Sequence, residues 1–219
     1  MDLINKLIKL GPALLSGAGI TILVSVVALI AGLIFGLFLA LGRLSKNKII
    51  DKLCFTYIWI FRGTPLLLQL FFIYYSVPDM TNFAINLDRL PAALIAFTLN
   101  SAAYLAEIIR ASIQSIDKGQ MEASKALGMS YGQAMRKIII PQSYRRLIPP
   151  VGNEFIMLLK DTALVSTIAL VDIMRVITQQ VSKAGNIILY GAAAVIYLIL
   201  TTIFTVVFEK LEKKYSLYE

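Results

Sequence analysis

Five ionisable side chains stand where the chain is otherwise apolar: Glu107 and Arg110, then Glu154, Lys160 and Asp161. A charge near the centre of a bilayer costs at least about 2.5–3.5 kcal/mol on insertion scales, so such groups are usually paired or functional. Glu107 and Arg110 are three residues apart and share a helix face, which predicts a structural ion pair. Glu154 has no basic residue three or four positions away on either side. Seven residues separate it from Asp161, so on a helix the two carboxylates share a face, about 10 Å apart along the axis. Such a pair suits recognition of a cationic group on a solute. Asp161 either completes that site or pairs with Lys160 or a neighbouring helix. Asn100 and Tyr104 are four apart and can line the same cavity. Thr162 and Ser166, also four apart, either add hydroxyl contacts or bond back to their own helix. Arg62 is expected at the headgroups or on an acidic partner rather than on the solute.

The same inventory argues against catalysis by this chain. It has no histidine, which removes histidine metal sites and histidine acid–base chemistry. Its one cysteine, Cys54, cannot form an internal disulfide and suits an ordinary apolar site. No nucleophile–base pair or metal-ligand cluster stands out. No G-x-x-x-x-G-K-[ST] loop is present, so ATP chemistry, if any, belongs to another subunit and no cofactor is expected here.

The elements that must position these groups are membrane spans. Of 219 residues 58% are hydrophobic and only 16% charged, with a mean hydropathy of +0.76. Residues 11–41 contain no charge at all, and about 20 apolar helical residues cross a hydrocarbon core. Lys6 and Lys9 before this stretch imitate a signal peptide, but the stretch is too long and lacks a clear cleavage site. Five spans are expected, at about 13–41, 53–77, 91–113, 147–173 and 187–208. The net charge of +8 is distributed among the loops between spans, unlike a nucleic-acid surface.

Positive charges concentrate in the first loop (Arg43, Lys46, Lys48, Lys52), the third loop (Lys118 to Arg146) and the tail (Lys210, Lys213, Lys214). These are expected in the cytoplasm, which puts the N-terminus outside. Residues 1–12 then form an amphipathic interfacial segment, with Leu3, Ile4, Leu7 and Ile8 at helical spacing. Gly11 and Pro12 are expected to separate it from a single transmembrane domain at 13–219. Gly32 and Gly36 offer a close helix approach. Pro149, Pro150 and Gly152 invite a helix break beside Glu154, and broken helices present backbone groups to charged solute ends. Chain breaks are likewise expected at Pro141.

The third loop, about 114–146, reads as helix, glycine turn, helix. Gly128 follows a run of helix formers, and Ser130 with Gln133 fits a capping box before a second helix. Met121, Ala126, Leu127 and Met129 give it more apolar surface than a solvated linker needs. That surface either packs back on the spans or docks onto a partner.

Here the residues carry a resemblance. Glu122-Ala-Ser-Lys-Ala-Leu-Gly128 with Ile138-Ile-Ile-Pro141 resembles the EAA loop of ABC importer permeases, with Ser124 where alanine is frequent. Four further stretches resemble motifs of the polar amino acid branch: Arg62-Gly-Thr-Pro-Leu-Leu-Leu-Gln69, Leu99-Asn-Ser-Ala-Ala-Tyr-Leu-Ala-Glu-Ile-Ile-Arg110, Pro150-Val-Gly-Asn-Glu-Phe155 and Leu159-Lys-Asp-Thr-Ala-Leu164. Alanine at 163 replaces a frequent serine.

The resemblance implies an all-α, type I ABC importer permease-like fold in a prokaryotic cytoplasmic membrane. It implies a second permease subunit, identical or different, two ATPase subunits that bind ATP and Mg, and an extracytoplasmic solute-binding protein. It implies that Gly119, Glu122, Ala123, Ala126, Leu127, Gly128 and Met129 form the coupling surface for the ATPase. The expected cargo is a polar amino acid, arginine, lysine or histidine among the basic ones. An ion-gradient-driven amino acid transporter is the alternative; the intramembrane carboxylates suit it, but five spans without an internal repeat do not.

Overall fold

A computed structural model describes residues 2–216, and every regular element in that range is helical. Helix α1 (Asp2–Arg43) has 42 residues. It is followed by α2 (Lys48–Gly63) and α3 (Leu66–Met80), which meet at a bend of 103°. Helix α4 (Arg89–Gln114) precedes the short α5 (Lys118–Ala126). Helix α6 covers residues 131–161, joining Tyr131–Ala134, a π turn at Met135–Ile139 and Ile140–Asp161. A 3-10 stretch, Thr162–Ile168, leads to α7 (Ile173–Ala184) and α8 (Leu189–Ser216).

Helices α1, α4 and α8 are each long and apolar enough to cross a membrane, and the bent pair α2–α3 makes a fourth candidate crossing. The centre of the fold is α4. Two-thirds of its apolar window is buried, against 6% for α8, whose apolar side chains point outward. The reason lies in side-chain size. Along α4 the buried residues include Ala92, Ala93, Ala96, Ser101, Ala102, Ala103 and Ala106, which let other helices approach closely. Gly32 and Gly36 of α1 complete the fit. A Cβ at Gly32 would stand 3.0 Å from Ser101 Oγ, and one at Gly36 3.0 Å from the Ala102 carbonyl oxygen.

The structure corrects four sequence expectations. Helix α1 runs through Gly11 and Pro12. One proline removes one backbone bond and leaves the rest of a long helix to hold the line. The expected straight span at 53–77 is two helices, because Pro65 lacks an N–H and forces Thr64 into extended backbone (φ −122°, ψ 143°). The breaks expected at Pro141, Pro149, Pro150 and Gly152 are absent, since α6 is helical through all of them. The expected span at 147–173 loses regular helix at Asp161 instead, and Ala169 turns the chain with φ 59°.

The π turns explain how two prolines are accommodated. Pro78 and Pro141 each follow a π turn, at Phe72–Ser76 and Met135–Ile139. A proline clashes with the carbonyl four residues earlier. Those carbonyls belong to Tyr74 and Lys137, the middle residues of the two turns. The wider turn shifts the carbonyl and lets the helix continue.

Candidate functional site

A cavity of about 670 Å³ opens where the α2–α3 bend faces α4 and α6. The bend contributes Arg62, Gly63, Thr64, Pro65, Leu66 and Leu67; α4 contributes Asn100 and Tyr104; α6 contributes Glu154, Met157 and Asp161. Four of the six residues expected to contact solute therefore meet in one place: Glu154, Asp161, Asn100 and Tyr104. Seven residues apart on α6, Glu154 and Asp161 do share a face.

The remaining two lie elsewhere. Thr162 is fully buried, and its hydroxyl donates to the Leu159 carbonyl at 2.8 Å. Ser166 donates to the Ala163 carbonyl at 2.7 Å. The 3-10 stretch turns both back onto their own backbone and away from the cavity lining. Arg62 is corrected in the opposite direction. Expected at the headgroups or on an acidic partner rather than on the solute, it lines the cavity, with its guanidinium carbon 5.3 Å from the Tyr104 ring centroid. Its place in the last turn of α2, next to the bend, aims it inward. The pairing of Glu107 with Arg110 holds: Arg110 Nε donates to Oε1 at 3.1 Å and Nη2 to Oε2 at 2.5 Å.

The bend is built chemically as well as sterically. In a continuous helix the Phe61 carbonyl would accept from the N–H of residue 65, and Pro65 has none. Gln69 supplies the missing donor: its Nε2 donates to the Phe61 carbonyl at 2.9 Å and the Thr64 carbonyl at 3.0 Å. Asn100 Nδ2 donates to the same Phe61 carbonyl at 3.2 Å and to Gln69 Oε1 at 2.9 Å. The stretch from Arg62 to Gln69 is thus one device, in which the last residue repairs what the fourth breaks. Sequence reasoning did not single out Gln69. The signal was available, because a glutamine four residues after a helix-breaking proline can reach the carbonyl that proline leaves bare.

Asp172 was also missed. It is wholly buried and caps α7, accepting from Met174 N at 3.2 Å and Arg175 N at 2.8 Å. The Tyr197 hydroxyl donates to Oδ2 at 3.2 Å, the same oxygen that accepts from Met174 N. Gly17 of α1 passes so close that a Cβ there would lie 2.7 Å from the Asp172 carbonyl carbon. This carboxylate fixes the turn after the cavity and lies outside the cavity lining.

The third loop has the expected form. Asp117 caps α5 by accepting from Gly119 N at 2.7 Å. Gly128 takes φ +78°, where a Cβ would be strained. The Ser130–Gln133 capping box is formed in both directions. Gly119, Glu122, Ala123, Ala126, Leu127 and Gly128 are exposed, and Leu127 is 83% accessible. Met121 and Met129 are half-buried, and Ser124 is buried with its hydroxyl on the Gln120 carbonyl. The loop thus has an inner face that packs on its own chain and an outer face led by Leu127.

A cavity with charges of both signs among helices long enough to cross a membrane, and a helical loop with an exposed apolar tip, suit a transport subunit driven through a partner. Residues 32–217 match the family described as binding-protein-dependent transport system inner membrane component. The chain is 41% identical over 204 residues to the arginine transport system permease protein ArtQ of Bacillus subtilis, covering 93% of this chain and 92% of that one. It is 36% identical over 206 residues to the glutamine transport system permease protein GlnP of Escherichia coli, covering 93% of each. A solved structure described as an amino acid ABC transporter with histidines superposes with a TM-score of 0.89 at 38% identity, covering 95% of this chain and 97% of that one. The inward-facing MetNI methionine transporter, at 19% identity, shares the fold with a TM-score of 0.79.

The chain belongs to the binding-protein-dependent transport system inner membrane component family. It is a multi-pass inner-membrane permease subunit of an ATP-driven importer, a transport subunit and not an enzyme.

Proposed function

We propose that this permease carries polar amino acids and favours cationic ones, with Glu154 and Asp161 holding the positive groups of the solute. The observation that carries this reading is the charge of the cavity. It is lined by two carboxylates and one guanidinium, Arg62. A zwitterion brings one charge of each sign, whereas arginine or lysine brings a second cation to meet the second carboxylate. Tyr104 and Asn100 shape the wall, and the start of α3 presents the unpaired N–H groups of a helix N-terminus, suited to the solute carboxylate. ArtQ, named for arginine, supports the same class of cargo.

The rest of the machine follows the family pattern. Leu127, its exposed neighbours Gly119, Glu122, Ala123, Ala126 and Gly128, and the half-buried Met129 form the surface on which an ATPase subunit docks. ATP and Mg bind to two such subunits. A second permease subunit supplies the other half of the pathway, and a solute-binding protein delivers cargo from outside. The chain crosses the membrane five times with its N-terminus outside. The ATPase cycle rocks the helices between outward and inward openings, and the solute biases that equilibrium only through different affinity for the two states.

The test is a binding titration of arginine and glutamine on the purified permease assembly. Glu154→Gln should weaken arginine binding by about tenfold to a hundredfold, the loss of one charge-assisted contact, and leave glutamine nearly unaffected. Unchanged affinity and preference would remove Glu154 from the solute site.

A further inference from the structure

Arg62 stands between two cavities. The one described above contains Glu154 and Asp161; a second, of about 430 Å³, is lined by Arg43, Trp59, Glu107 and Arg110. Arg62, Gly63 and Tyr104 line both, so the guanidinium stacked on the Tyr104 ring is the partition between them. Each cavity lining adds one glutamate, Glu154 on one side and Glu107 on the other. The side chain leaves the last turn of α2, immediately before the bend. Arg62 lines open space on both sides, about 670 Å³ in the first cavity and about 430 Å³ in the second. A cation–π stack is a weak latch that another cation can displace.

We propose that Arg62 is a charge-selective inner gate that the cationic solute itself displaces. The proposal rests on the reading of the first cavity as the solute site. In the empty permease Arg62 shares the first cavity with Glu154 and closes the partition against Tyr104. A cationic solute takes over Glu154, repels the guanidinium and competes for the ring face. Arg62 then moves to Glu107, which opens the way into the second cavity. A neutral solute brings no second cation to do this and opens the gate less often. The selectivity is a population shift, set by the difference in interaction of each solute with the two positions of one side chain.

The difficulty in testing this is that Glu107 already pairs with Arg110, so its loss could act through that pair. Two variants separate the roles, measured as ATP-driven arginine uptake by membrane vesicles containing the whole transporter and as arginine binding to the purified assembly. Glu107→Gln removes the second position for Arg62. It should leave the arginine Kd within about twofold and lower uptake about tenfold, a loss in the transport step rather than in binding. Arg110→Gln breaks the same ion pair but keeps the carboxylate, and its uptake should stay within about twofold of the unaltered protein. Equal loss of uptake in both variants, or full uptake by Glu107→Gln, overturns the gate. Should Glu107→Gln fail to accumulate, Arg62→Gln decides: the ratio of glutamine to arginine uptake should rise about tenfold, and an unchanged ratio overturns the proposal. Failure of Glu154→Gln to weaken arginine binding is a different result, since it removes the solute site and not the partition.

Discussion

The proposed coupling surface comes from one short stretch of chain, residues 118–129, whereas the proposed solute cavity draws on segments around 62–67, 100–104 and 154–164. The loop stands on local bonds: Asp117 to Gly119 N, Ser130 to Gln133 N, Gly128 N to the Lys125 carbonyl. The cavity depends on bonds that cross the fold, such as Asn100 on α4 to the Phe61 carbonyl on α2. The same molecule therefore has one site whose shape is nearly independent of the core and one whose shape is a consequence of it. The loop should tolerate changes in the spans and fail at its tip. The cavity should fail through residues that never touch solute.

The sharpest way to break this contrast is at Leu127. Replacing this exposed apolar tip with aspartate should reduce ATPase retention on the purified permease by about a hundredfold or more, as for an interface hot spot, with arginine binding intact. Loss of solute binding as well would show that the loop and the cavity are not independent. The next effect is at Gln69. Gln69→Met leaves the Thr64 carbonyl without its Gln69 donor and the Phe61 carbonyl with Asn100 alone, at a cost of about 1–3 kcal/mol. A lower melting temperature and weaker arginine binding should appear together, although Gln69 does not line the cavity. A change in stability with unaltered affinity would mean that the bend does not set the site. The smallest effect is at Ser166. Its hydroxyl bonds within its own turn, so Ser166→Ala should shift stability by no more than about 0.5 kcal/mol and leave transport unchanged. A clear loss of transport would return Ser166 to the cavity.

What could be seen beforehand follows the same division. The helix–glycine–helix loop and its capping box were legible because each feature involves residues within four positions of one another. The Glu107–Arg110 pair and the shared face of Glu154 and Asp161 were legible for the same reason. Prolines were harder. Pro65 breaks its helix, whereas Pro141, Pro149 and Pro150 do not, and the difference lies in context. At Pro65 the extended Thr64, the neighbouring glycine and the donors of Gln69 and Asn100 stabilise the broken form. Before Pro141 a π turn relieves the clash inside the helix. Neither outcome is a property of proline alone.

Sequence by itself determined the solvent, the helical class, the helix–glycine–helix loop and the shared face of the two carboxylates, because hydropathy, helical periodicity and capping are short-range. Only the tertiary structure decided that Arg62 faces inward, that Thr162 and Ser166 face away, and that the bend at Thr64–Pro65 rather than a break at Pro149 meets Glu154. Those outcomes depend on which helix lies against which. That in turn was settled by where glycine, alanine and serine on α1 and α4 let the backbones touch.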